Sequence, residues 1–435
     1  MHRYFFALGM AAITLMPAFA QTVDGATRAF PNHAGAYSAR TVEPATPITL
    51  NQALTLALGA NAELSAARNE ARAVDATIQQ AGASPNPELS WLMEDTRRDT
   101  RTTTVQLNQA IELGGKRAAR ITAASRTFDA ANADLDAKNA DIRAAVMTAF
   151  FEVLTAQERL RLADASLLLA QRGTHVASRR VAAGKVSPVE ETRARVAEAN
   201  MRLELGQAKN ELDNARRRLT ASWGNPAPRF VQAEGALETL PHLPAWTELE
   251  IRGAQAPVIT RARLEFERRQ AMAEVENSRR TPDITVSLGV KRDQELGRNQ
   301  AVVGLSIPFP LFDRNQGNML EALRRTDKAR DELAASEIRL DGELAQAWTQ
   351  LKNARQETQA LQNEILPGAQ SAYEAATKGF EFGKFNFLDV LEAQRTFLQA
   401  RAQYLRSLFE AHRAAAEIDR LLGTPLPVTT QQEPS

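Results

Sequence analysis

Apolar and polar residues alternate along several short stretches of this chain. Val105, Leu107, Gln109 and Ile111 alternate with Gln106, Asn108 and Ala110; Ile284, Val286, Leu288 and Val290, then Ala301, Val303, Leu305, Ile307 and Phe309, repeat the pattern. A period of two predicts β-strands with one apolar and one polar face. The runs form two pairs, each run of about ten residues, joined by the polar segments Asp95 to Thr102 and Arg292 to Gln300. Tilted strands of that length span an outer membrane, and apolar-out, polar-in alternation is the pattern of a water-filled transmembrane barrel. A single hairpin lying on a soluble core would show the same alternation. Four strands, however, cannot close around a lumen, and lipid offers no partner to the N–H and C=O groups of an open edge. Strands that span must therefore belong to a barrel shared by several copies of the chain.

After each hairpin the period changes. From Lys116 to Ala183 there is no proline, and Ile121, Phe128, Leu135, Ile142 and Ala149 recur every seven residues, which predicts a helix about 100 Å long. The second half matches it from Asn315 to Phe380, with Leu333, Leu340 and Ala347 in one row; Pro367 predicts a kink or break near Leu366. The returning helices carry two rows each. Val189, Val196 and Leu203 lie out of phase with Leu205, Leu212 and Leu219, and Leu391, Leu398 and Leu405 lie beside Phe397, Tyr404, Ala411 and Ile418. A helix with two sticky sides fits the wall of a tube of helices; an ordinary bundle is the plainer alternative.

These elements occur twice. Pro87-Glu88-Leu89-Ser90 stands beside Pro282-Asp283-Ile284-Thr285, Leu113-Gly114-Gly115-Lys116 beside Leu311-Phe312-Asp313-Arg314, Gly184-Lys185-Val186 beside Gly383-Lys384-Phe385, and Trp223-Gly224 beside Leu422-Gly423. Landmarks in one order at nearly one offset indicate a duplication. The expected organisation is a signal peptide at 1–20, an extended segment at 21–47, a first repeat at 48–224, a Pro-rich linker at 225–245, a second repeat at 246–423 and a tail at 424–435. Within the repeats, strands are expected over about 87–111 and 283–309, and helix-to-helix turns over about 181–188 and 380–389.

Composition narrows the function. Arg3, the apolar run from Tyr4 to Leu15, Pro17 and Ala18-Phe19-Ala20 read as a cleaved secretory signal peptide. With 53 Lys and Arg against 52 Asp and Glu, there is no basic excess for nucleic acid. The chain has 0 cysteines, so it offers no disulfide, no thiolate metal site and no cysteine for a lipid anchor. Beyond the signal peptide no apolar run is long enough for a spanning helix. His2, His33, His175, His242 and His412 lack metal-ligand spacing, and no nucleophile elbow or phosphate-binding glycine loop occurs. The expectation is a non-enzyme with no cofactor and no resident metal.

Two segments carry a family resemblance. Gln109-Ala110-Ile111-Glu112-Leu113-Gly114-Gly115-Lys116-Arg117 and Ser306-Ile307-Pro308-Phe309-Pro310-Leu311-Phe312-Asp313-Arg314-Asn315-Gln316-Gly317 resemble the strand-to-helix junctions of TolC-type outer-membrane factors, most closely those of the cobalt-zinc-cadmium heavy-metal resistance branch. The likeness runs from about Ile48 to Gly423. It implies a mainly α protein with β: a homotrimer with a long α-helical tunnel in the periplasm and a transmembrane β-barrel of twelve strands, four per chain, in outer-membrane lipid. It also implies a periplasmic membrane-fusion adaptor and an inner-membrane RND pump as partners. The function expected is a passive exit duct for heavy-metal cations. The same duct could serve drugs or secreted polypeptides; the rival of another class is a periplasmic coiled-coil scaffold or adaptor without a pore, which should show one helical hairpin between compact β-domains.

The resemblance also points to residues. Gly184, Lys185, Val186 and Ser187 in one tip turn, and Phe382, Gly383, Lys384, Phe385 and Asn386 in the other, are the expected adaptor-docking positions. Each glycine can end its outgoing helix, and Ser187 or Asn386 can cap the returning one, with Pro188 in its first turn. Phe380, Phe382, Phe385 and Phe387 are a dense set of aromatics for a chain with only 6% of them. Any that stay exposed would form a docking patch. Glu374 falls where relatives place an acidic residue at the periplasmic constriction; three such carboxylates on a threefold axis would attract cations and resist ionising together.

Overall fold

The computed structural model describes residues 42–423; the expected signal peptide at 1–20, residues 21–41 and the tail at 424–435 lie outside the described residues. From Glu43 onward the described chain is one packed unit. In chain order it contains β1 (Ile48–Thr49), α1 (Leu50–Ala60), α2 (Ala62–Ala81), β2 (Glu88–Glu94), β3 (Thr102–Ile111), α3 (Lys116–Ala182) and α4 (Pro188–Ala221). The second half follows with β4 (Ala233–Glu234), α5 (Trp246–Gly253), α6 (Pro257–Ser278), β5 (Ile284–Asp293), β6 (Arg298–Ser306), α7 (Gln316–Ala360), α8 (Leu366–Glu381) and α9 (Phe387–Leu422).

A helical lead-in precedes each hairpin, which strand alternation does not announce. Its local signals are nevertheless ordinary: the Asn61 side chain accepts from the Leu64 N–H at 3.0 Å to start α2, and Pro257 opens α6 where its missing N–H costs nothing. The two hairpins join into one antiparallel sheet of order β2-β3-β5-β6, with Leu107 opposite both Leu89 and Leu288. β2 is seven residues long, shorter than its partners. β2 and β6 are left as open edges.

The 67 residues of α3 make a helix of about 100 Å. It packs along α4, α6, α9 and α2, while α7 packs on α6 and α9. Pro367 does not end the second long helix. It has no N–H and crowds the carbonyl four residues back, and the chain absorbs this in a single wide π turn, Leu361–Ile365. Beside that turn the buried Thr358 and Ser407 hydroxyl oxygens lie 2.9 Å apart, joining α7 to α9.

The returning helices differ in how their rows are used. On α4, Leu212 and Leu219 are buried within the chain, whereas Val189, Val196 and Leu203 are 55%, 56% and 68% exposed. On α9, Tyr404, Leu405, Ala411 and Ile418 are all buried. Of these two helices α4 therefore keeps a full apolar row that nothing among the described residues covers.

Midway along the helices the linker is bound in. β1 pairs in parallel with β4, and Trp223, Phe150 and Leu64 are buried there. The buried Glu43 carboxylate accepts from the Trp223 indole N–H at 2.9 Å, the Asn225 amide at 2.7 Å and the Arg229 N–H at 2.6 Å. Burial works to raise its pKa, but these three donors together outweigh it and hold the carboxyl below its ordinary value. His412 on α9 stacks on Phe151, with ring centroids 3.7 Å apart, and its Nε2 lies 2.9 Å from the Leu237 carbonyl. Burial lowers the pKa of this histidine to about 4.

Candidate functional site

Strand pairing sorts the sheet into two faces. On one, Trp91, Val105, Val290 and Ala301 form a cross-strand row, and Leu89, Leu107, Leu288 and Val303 form the next. Val303 is 76% exposed, and nothing among the described residues covers that face. On the opposite face Ser90, Gln106, Gly289 and Val302 form one row, and Asn108, Ser287 and Gly304 lie in another. There the Asn108 amide donates to the Ser90 hydroxyl at 3.1 Å. One face thus suits lipid and the other water, as a pore wall requires. No helix among the described residues is long and apolar enough to cross a membrane.

The junction below the sheet ties the repeats together. Gly114 and Gly115 both take positive φ, and a Cβ on Gly114 would meet Thr281 Cβ at 2.6 Å, so only glycine passes there. Asp283 accepts from the Leu113 N–H at 3.1 Å and from the Lys116 ammonium at 2.6 Å, and Arg120 pairs with Glu112. In the second repeat Asn315 takes the left-handed position, and its amide donates to the Glu276 carbonyl at 2.8 Å.

At the far end of the helices the two tip turns share one geometry. Gly184 and Gly383 have positive φ; the Lys185 N–H donates to the Arg180 carbonyl at 2.9 Å and the Lys384 N–H to the Gly379 carbonyl at 2.8 Å. This is the Schellman stop, which satisfies the last carbonyls of each outgoing helix. Ser187 accepts from the Val189 N–H at 3.3 Å, and Asn386 and Asp389 cap each other's N–H groups, both at 3.0 Å. Glu191 beside the first turn is held below its ordinary pKa by the Ser178 hydroxyl first and by Arg195 second.

The four tip phenylalanines divide. Phe380 and Phe387 are buried against Ala177, Ala194, Ala376 and Val390. Phe382 is 79% exposed and Phe385 49% exposed. Lys185, Lys384 and Asn386 are exposed beside them, and Val186 is half-buried. Two tip residues were missed in the sequence. The Arg180 guanidinium carbon lies 4.4 Å from the Phe380 ring centre, strapping the first turn to the second, and Gly379 gives the Phe385 ring its seat. An arginine four residues before a tip glycine was the available signal for the strap; the seat leaves none, because it depends on a contact across the turn.

Glu374 is not part of the tip cluster. It is exposed on α8 and accepts from the Gln370 amide at 3.0 Å. Nine residues of helix separate it from Gly383, about 13 Å along the axis. Among the described residues no group of three or more His, Asp or Glu side chains is placed to hold a metal ion.

The model of the outer membrane efflux protein family matches this chain twice, at residues 53–225 and 253–424. The cobalt-zinc-cadmium resistance protein CzcC of Cupriavidus metallidurans is 51% identical, over 97% of this chain and 100% of its own length. The nickel and cobalt resistance protein CnrC of the same organism is 29% identical over 68% of this chain and 69% of its own. Among solved structures, CusC superposes with a TM-score of 0.74 at 18% identity, covering 86% of this chain and 92% of that one. The outer-membrane channel OprN superposes at 0.72 and 20% identity, covering 86% and 89%. At those identities the structures show a shared fold.

Proposed function

The chain belongs to the outer membrane efflux protein family and is an outer-membrane efflux channel; from that premise we propose that it forms the passive exit duct of a tripartite RND-type pump exporting heavy-metal cations. The observation that carries the metal cargo is 51% identity, across essentially the whole chain, to a protein named for cobalt, zinc and cadmium resistance. The duct itself follows from the sheet. It has one apolar and one polar face and two open edges, and those edges find hydrogen-bond partners in lipid only in neighbouring copies.

Three copies contribute twelve strands, and the exposed Val189, Val196 and Leu203 row on α4 gives each copy an apolar helix face for the next. The periplasmic tips then present Phe382, Phe385 and the lysines to an adaptor, through which the inner-membrane pump delivers its cargo. Glu374 from each copy lines the constriction, where three carboxylates favour cations. The cations pass through without being held, since a tight site would slow transport. Residues 1–20 are read as a cleaved signal peptide that directs export.

The test is to delete the gene and measure tolerance to zinc, cobalt, cadmium, copper and silver alongside several drugs. Loss of tolerance to metals, restored by the gene in trans, is the expected result. Sensitivity to drugs alone would overturn the metal assignment while leaving the duct.

A further inference from the structure

We propose that Arg101 and Arg292 bind the phosphates of a sugar-headed lipid in the outer leaflet of the membrane; the proposal rests on the reading of the sheet as a spanning barrel with its helical tips in the periplasm. At their outer ends the strands carry different charge on their two faces. Glu94, Lys291, Asp293 and Arg298 lie on the polar face, where Glu94 and Lys291 pair at 3.7 Å. The apolar face ends in the row Met93, Thr103, Arg292 and Asn299. The Gln294 N–H donates to the Arg101 carbonyl at 3.1 Å, which carries the pairing one step outward, and alternation puts Arg101 on this same face. Among the strand residues of that face Arg292 is the only charged side chain, and Arg101 comes just beyond it.

The two guanidinium groups can meet on one anion. Arg101 stands opposite Gln294, so it is the diagonal neighbour of Arg292, with Cβ atoms about 7–8 Å apart. Arginine side chains at that spacing converge on a single phosphate, which each grips with two N–H groups. The Arg292 Nη1 donates to Asn299 Oδ1 at 3.3 Å and to the Gly297 carbonyl at 3.4 Å. These bonds fix the group at the hairpin and leave its Nε and Nη2 without a partner among the described residues.

Carboxylates close by are engaged elsewhere. Asp95 accepts from the Arg97 N–H at 3.0 Å and from the Thr100 hydroxyl, and Asp293 accepts from the Leu296 N–H at 3.0 Å. Asp99 and Glu295 stand in the hairpin turns, off the strand face. No carboxylate among the described residues pairs with Arg97, Arg98, Arg101 or Arg292. At the periplasmic end of the same sheet the cations are matched, Lys116 by Asp283 and Arg120 by Glu112. The unmatched charge is thus confined to the outer edge.

The occupant follows from continuity and charge. The row of Val105, Val290 and Ala301 lies about 7 Å inward of Arg292, so a molecule on this face meets apolar side chains first and guanidinium groups next. That order fits acyl chains topped by phosphate. Arg97 and Arg98, exposed in the first hairpin, extend the cationic edge outward. Such an edge favours a headgroup with more than one phosphate, as on a phosphorylated sugar, over the single phosphodiester of a phospholipid.

The test titrates the full-length, delipidated protein in detergent with bisphosphorylated lipid A or with phosphatidylglycerol, using inorganic phosphate as competitor. The expected result is that lipid A binds more tightly than phosphatidylglycerol and is not displaced by phosphate. Arg101→Gln combined with Arg292→Gln should weaken lipid A binding about tenfold or more, with phosphatidylglycerol binding unchanged. Arg339→Gln, on an exposed helix face, should bind as the wild type does. If the double variant does not assemble, Arg101→Gln and Arg292→Gln are read singly, each with a smaller loss expected. Equal lipid A binding by the wild type and these variants, displacement by phosphate, or phosphatidylglycerol binding as tight as lipid A would overturn the site and leave the barrel. A protein that binds neither lipid and fractionates with the soluble periplasm would overturn the barrel reading itself.

Discussion

The rings of Phe380 and Phe387 meet with centroids 5.5 Å apart, so the end of α8 rests directly on the start of α9. With Arg180 over Phe380, this contact makes the tip a small core of its own. Phe380→Ala should remove about 3 kcal/mol or more of local packing and open the tip to proteolysis between residues 378 and 390. Phe382→Ala, at an exposed ring, should leave protease resistance and thermal stability unchanged yet weaken crosslinking of an adaptor from Lys384→Cys. If Phe382→Ala loosened the tip as much as Phe380→Ala, the docking reading of Phe382 would fail.

Gly379 is required by its neighbour and not by its own backbone angles. A Cβ there would overlap the Phe385 ring, so Gly379→Ala should drive Phe385 off its seat. Hydrogen exchange at residues 383–387 should quicken in this variant, while the sheet at 284–306 keeps its wild-type protection.

Among the described residues Glu374 accepts a hydrogen bond from the neutral Gln370 amide and pairs with no opposite charge. Three such groups around a pore would make removing the carboxylate a change in permeation and not in folding. Glu374→Ala should raise conductance or reduce cation preference in planar bilayers; Glu374→Asp should restore the preference. Unchanged currents would remove the gate.

Acid should weaken the fold through His412. Its pKa falls from 6.5 to about 4 on folding because burial disfavours the charged ring. The folded state therefore favours neutral imidazole, with that contribution complete above pH 6.5 and lost as pH falls from 6.5 toward 4. The loss is on the order of 3 kcal/mol per copy at most. His412→Gln, which keeps a donor toward the Leu237 carbonyl, should flatten the dependence of thermal stability on pH across that window.

Much of this architecture was legible because its periods are long and simple. Val303 and Leu305 announce a strand by alternation, and the proline-free run after Lys116 announces a helix. Other features depend on partners distant in sequence. Nothing near Ile48 foretells its pairing with Ala233, and Glu43 is an ordinary glutamate until Trp223, Asn225 and Arg229 converge on it. Pro367 announced a disturbance but not its form, since a kink, a break and a π turn all relieve the same clash. At the tip the sequence shows four phenylalanines without distinguishing the two that pack from the two left outside.

On this reading each chain is one sector of a shared duct. Native mass spectrometry of the particle released from outer membranes tests it most directly, because the sheet's two open edges can be satisfied in lipid only by further copies. Three copies per particle, recovered from the outer-membrane fraction, are expected. A single copy, or a particle found only in the soluble periplasm, would contradict it.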